Sequence, residues 1–275
     1  MAKGKDEHKM LFDLRGGRRG KLVKVVYATL AVLMGLSLFL VIGGFNLAEL
    51  FNSGTSTGDA AKPYEEQAER IEVKLKKDPQ NPDLLLSLTR AKVGAGNAQV
   101  TVEPSGQQAF TPEAVQAYQE ANQSWSDYLK ATDEPSASLA LLMSPTLLKL
   151  AEFSRSYPEA DTNVKAATEA QQIVAEERPS INAFTTLAYY TYFTGDFAAA
   201  EKAEKEAKKL AGGKSEVQAI DKQLSEIEKN ARKYIAAKEK AEKEAKAASG
   251  GNGKPGAIEP GENPFGGSTG GGLGE

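Results

Sequence analysis

Four carboxylates, Asp161, Glu169, Glu176 and Glu177, fall within residues 161–177 and could supply acid–base chemistry. General acid–base work needs a carboxyl whose pKa is displaced by burial or by a close partner. These four sit on a stretch with helical spacing and charged neighbours, the ordinary setting of a solvated face, and no pair among them is marked as desolvated. A second pattern, G-x-G-x-x-G at Gly251, Gly253 and Gly256, spells the dinucleotide fingerprint. That fingerprint works where a strand leads into the loop and a helix leads out of it. No strand signal precedes it, and Pro255 stands inside it. The chain has no cysteine, and its single histidine, His8, lies in a charged N-terminal stretch. Thiolate nucleophiles, cysteine-ligated metals and histidine triads are thereby excluded. The expectation is a non-enzyme without cofactor or metal. With 34 basic and 37 acidic residues the net charge is −3, so no field recruits nucleic acid.

Residues 25–48, VVYATLAVLMGLSLFLVIGGFNLA, carry no charge. About 20 apolar residues span the hydrocarbon of a bilayer. The run exceeds the apolar core of a cleavable signal peptide and no clear A-x-A site follows it, so it reads as an uncleaved anchor. Lys3, Lys5, Lys9, Arg15, Arg18, Arg19, Lys21 and Lys24 precede it, and Glu49 and Asp59 are the first charges after it. The asymmetry places the N-terminal segment, 1–24, in the cytoplasm and the rest outside it. The RGGRRGK cluster is assigned to orientation and to anionic lipid.

After a linker at 49–63, the periodicity is helical through residue 211. Ala68, Ile71 and Leu75 form one stripe, ended by Pro79. NPDLLLSLTRAKVGAGN then ends in Gly96-Asn97, while TTLAYYTYFTGDFAAAEKAEKEAKKL turns at Gly195-Asp196. The two glycines are 195 − 96 = 99 residues apart, close to three periods of about 34 residues. Three helix pairs follow, at 82–131, 136–178 and 180–211. In the last two, a first helix with large side chains precedes a thin partner rich in alanine and charge, while in the first, which is degenerate, 111–135 reads as the second helix. Thr111 and Pro112 open the 111–135 helix, whose buried candidates are Ala117, Tyr118, Ala121, Trp125 and Leu129. Pro145 is expected to break or kink the helix at 136–158. The insertion at 98–110, with Val100 and Val102 alternating, is a short hairpin or a loop.

From Ser215 to Ala248 one helix is expected, with Val217, Ile220, Leu224, Ile227, Ala231 and Tyr234 spaced three and four apart. That stripe either caps the repeats, the preferred reading, or joins two copies as a coiled coil. Past Ala237 no large apolar residue occurs, and the end of the 212–248 segment reads as a solvated extension. Residues 249–275 hold eleven glycines and read as a disordered tail.

The alternation of large and thin helices, with Phe184, Leu187, Ala188, Ala200 and Ala207 placed around Gly195, resembles the tetratricopeptide-repeat (TPR) family over about 64–211. Thr89 departs from the pattern, which prefers a smaller residue there. The fold expected is therefore all-α: an N-terminal transmembrane helix, a short TPR-like helical-hairpin solenoid, a long C-terminal helix and a tail. The resemblance implies a protein-binding groove lined by the first helices, with Arg90, Lys92, Tyr189, Tyr190 and Thr194 at its matching positions. The whole is similar to ancillary chaperone subunits of bacterial secretion systems, which implies a single-pass scaffold or chaperone-type adaptor for exported polypeptides. The alternative is a structural spacer, or an envelope protein self-associating through the C-terminal helix.

Overall fold

Side-chain caps written into the sequence set where five of the described helices begin. Asn81, Thr111, Ser136, Ser180 and Asp196 each accept a hydrogen bond from the backbone N–H three residues on, at 2.9–3.4 Å. Each satisfies a donor that has no partner inside its helix, a contribution of about 1 kcal/mol. In this computed structural model, which describes residues 57–102 and 108–248, the caps organise an all-α domain. The expected cytoplasmic segment, membrane span and glycine-rich tail lie outside the described residues. No described helix is long and apolar enough to cross a membrane.

The described helices are α1 (Thr57–Leu75), α2 (Pro82–Ala98), α3 (Pro112–Ala131), α4 (Ala137–Glu152), α5 (Tyr157–Glu177), α6 (Ile181–Thr194), α7 (Phe197–Leu210) and α8 (Lys214–Ala248). Between α2 and α3, β1 (Val100–Val102) pairs antiparallel with β2 (Gln108–Phe110), Val100 opposite Phe110. The insertion is thus a hairpin. Extensive packing joins α1 to α2, α2 to α3, α4 to α5 and α6 to α7; the last three are the helix pairs read from the sequence. Large side chains of α3, α4, α5 and α6, with alanines of α5 and α7, fill one core, centred on Leu139, Met143, Leu147, Tyr157, Val164 and Tyr192. Trp125 belongs to it, 2% exposed and stacked on Tyr128.

Several expectations are corrected. The linker assigned to 49–63 becomes helical at Thr57, because Ala61 is fully buried and extends the packed stripe of Ala68 and Ile71 past Pro63. Pro145 does not break α4. The carbonyl that loses its i+4 partner belongs to Leu141, on the exposed side of the helix. Gly96 ends no helix: it lies inside α2, whereas Gly195, with φ +87°, is the left-handed residue that closes α6. The two glycines that set the 99-residue spacing therefore do different jobs.

Gly96 is required by a ring. A Cβ there would lie 2.5 Å from the Tyr118 ring and 3.2 Å from the Ala114 carbonyl oxygen. Tyr118 is held by its own hydrogen bond to Asn97 Oδ1 at 2.8 Å, and burial pushes its phenol up to about 12. Gly94 meets the ring of Tyr64 as closely, but Tyr64 is half-buried on α1 and can turn away. Gly96→Ala is accordingly expected to cost about 1–2 kcal/mol, overpacking exceeding the gain in helix propensity. Gly94→Ala should be close to neutral. Thermal unfolding followed by circular dichroism separates the two, and equal effects would refute this account of α2.

The stripe on α8 is spent within the domain. Ile220, Leu224, Ala231 and Tyr234 are buried, and α8 packs on α6 and α7. At 35 residues it is about 50 Å long, enough to run back along α7 and reach the start of α5. There Lys238 forms an ion pair with Asp161, and Tyr234 packs against Tyr157. The expected solvated extension is therefore anchored at Lys238.

Candidate functional site

Two residues apart on a helix means about 200° of rotation, so Arg90 and Lys92 cannot share one face of α2. Arg90 is exposed. Lys92 points the other way, into a cleft between α1, α2 and α3, where its Nζ lies 2.6 Å from Glu120 and 2.9 Å from Glu72. Burial pulls the Lys92 ammonium down, but the two carboxylates outweigh it and hold it above its ordinary value. Glu120 is displaced oppositely: burial pushes it up, while hydrogen bonds from Lys92 and Gln116 overcome that and hold it low. Lys92 thus ties three helices together.

The sign for pH follows from Glu120. A carboxyl with a depressed native pKa adds stability above its unfolded value and loses it as the pH falls. Glu120→Gln should flatten the fall in melting temperature below about pH 4.5. An unchanged acid limb would show that the Lys92 bridge is energetically idle.

On α6, Tyr190 is buried beside Ser144 and joins a polar bridge. Ser144 Oγ donates to Gln171 Oε1 at 2.7 Å, and Gln171 Nε2 donates to the Ala183 carbonyl at 3.0 Å. This bridge links α4, α5 and α6 and removes Tyr190 from any surface. Thr194 Oγ1 donates to the Thr191 carbonyl and accepts from Asp196 N, so it shapes the turn at Gly195. Tyr189 is half-buried, edge-on to Phe193 and beside Glu152. Burial, then the neighbouring Tyr190 and Glu152, pushes its phenol well above its ordinary range. Of the five residues assigned to one groove, Tyr189 and Tyr190 meet ring to ring at 5.2 Å on α6. Lys92, Tyr190 and Thr194 are committed to internal contacts, while Arg90 is exposed and Tyr189 half-buried.

The β-hairpin organises a neighbouring cluster. Phe110 of β2 packs on Phe153 and Tyr118, and the Lys149 ammonium stands 5.0 Å from the centre of its ring. Lys149 in turn holds Glu152 at 2.9 Å. Burial pushes Glu152 up, against the pull of Lys149.

Beside Phe153 lies a recess that sequence reasoning missed. Val115, Gln119 and Asn122 line one face of α3; Glu159, Thr162 and Asn163 line the facing side of α5; Leu150 of α4 and Phe153, which caps its C-terminus, form the floor. Its volume is about 230 Å³. The slot exists because α3 packs on α2 and α4, and α5 on α4 and α6, with no comparable packing joining α3 to α5. Phe153 is 36% exposed. Among the described residues the side chains of Gln119 and Asn122 have no hydrogen-bond partner, and the Asn163 side chain uses only its Nδ2, toward Ser154. The signal was present as the four- and three-residue spacing of Val115, Gln119 and Asn122, an unburied polar face on a helix otherwise read for its core. No family model, curated protein or solved structure matches this chain.

Proposed function

We propose that this chain is a single-pass, membrane-anchored scaffold or chaperone-type adaptor. Its TPR-like helical-hairpin domain holds a protein partner outside the cytoplasm. The observation that carries this reading is the slot between α3 and α5: an exposed aromatic floor with carboxamides on both walls. Binding sites combine an apolar recess with a few polar groups that fix orientation. The charge-free run at 25–48 and its basic flank support the anchor and its orientation. The first-helix groove implied by the resemblance gives way to the slot, since three of its five residues are committed elsewhere.

The test is photo-crosslinking in cells from Gln119 and Asn122, with Glu201 on α7 as control. A defined polypeptide captured from the slot positions and not from Glu201 is the expected result. Equal capture from all three positions would refute the scaffold reading.

A further inference from the structure

The slot narrows the kind of partner it can take. Its volume, about 230 Å³, lies below the range of pockets that enclose whole cofactors or drug-sized ligands. It suits one inserted side chain. The floor of Leu150 and Phe153, continued by Val115, asks for an apolar or aromatic one. The walls ask for something that both donates and accepts. A carboxamide offers two N–H donors and one carbonyl acceptor, the complement of a polypeptide backbone. Gln119 and Asn122 keep all of these groups available, and Asn163 keeps its carbonyl oxygen. No cation lines the slot, and Glu159 is its one charged residue. Phosphate, nucleic acid and anionic lipid headgroups are therefore disfavoured.

We infer that the slot binds an extended polypeptide segment of a partner protein, with one large apolar or aromatic side chain seated between α3 and α5 and a lysine or arginine beside it facing Glu159. The inference rests on the scaffold reading and adds the chemistry of the segment. Gln119 and Asn122 pair with the backbone on one wall and Asn163 with it on the other. Phe153 and Leu150 receive the anchor, and Glu159 sets the sign of its neighbour. Glu159 Oε2 already accepts from Arg155 N at 3.0 Å, which fixes the carboxylate at the mouth of the slot.

The experiment uses the full chain in detergent micelles and fluorescent nonapeptides of serine and glycine. One probe has a central phenylalanine flanked by lysines, one has glutamates in place of the lysines, and one has serine in place of the phenylalanine. The lysine peptide is expected to bind about three- to five-fold more tightly than the glutamate peptide, as for an exposed ion pair. The serine peptide should not bind measurably. Glu159→Lys should invert the charge preference, a readout that misfolding cannot imitate. The pair Gln119→Ala and Asn122→Ala, both on the surface of α3, should weaken the lysine peptide about ten-fold, two hydrogen bonds being lost. No charge preference, a preference unmoved by Glu159→Lys, or binding unaffected by the alanine pair would overturn the inference. If the peptides fail while crosslinking from Gln119 still captures one partner, the scaffold stands and the assigned chemistry falls. If both fail, both readings fall. Dimerisation abolished by the alanine pair would make a second copy the occupant, and would also overturn it.

Discussion

Leu224→Ala is expected to lower the unfolding free energy by about 2–5 kcal/mol, the range for emptying a buried leucine site, while leaving the oligomeric state unchanged. Leu224 is fully buried, with Ile220 above it and Ala231 and Tyr234 below on the same stripe. The spacing alone fits a seam between two chains as well as it fits a cap on one. The partners on α7 decide for the cap. Lys208 pairs with Asp221 across the α7–α8 contact while also holding Glu204 of its own helix at 2.6 Å, and Arg232 stands 4.1 Å over the ring of Phe197. A terminal helix of this kind covers the apolar edge that a stack of hairpins would otherwise expose to water. Thermal unfolding and sedimentation of the full chain in micelles check the prediction. A loss of oligomers with no loss of per-chain stability would return the stripe to self-association.

The reach of sequence reasoning here follows from the range of the interactions involved. Helix starts were legible because capping is local: Thr111, Ser136 and Ser180 need only a backbone N–H three residues away. Pairing was legible in α6 and α7, where large side chains give way to alanines across the turn at Gly195, but not from α3, whose Tyr118, Trp125 and Tyr128 are as large as any in the core. The glycines misled because a helical glycine and a turn glycine look alike until the partner is known, and the partner of Gly96 is a ring at Tyr118 on the next helix. The groove residues misled for a related reason. Periodicity says that Lys92 and Arg90 face apart, but Glu72 and Glu120, which claim Lys92, sit on two other helices. The slot was invisible because it is a gap, fixed by where α3 and α5 fail to meet.

Lys238→Met should release the C-terminal part of α8. Lys238 and Asp161 are 18% and 15% exposed at their side chains, so the pair lies largely out of water. Removing one member of such a pair leaves a buried charge without compensation, a penalty of about 3–5 kcal/mol. Asp161 sits in the first turns of α5 beside Tyr234, whose phenol is pushed above its ordinary range by burial and then by this carboxylate. Rehydrating Asp161 is cheapest by lifting the end of the helix that covers it. Local opening of that kind leaves the rest of the domain folded. Hydrogen exchange in α8 beyond Tyr234 should therefore accelerate in the variant, while exchange around Leu224 changes little. The double variant Asp161→Asn with Lys238→Met separates charge from packing. It should restore most of the lost protection, since no uncompensated carboxylate remains beneath the helix. If the double variant exchanges as fast as the single one, α8 is held there by the attraction between Lys238 and Asp161 itself and not released by the cost of an uncompensated carboxylate.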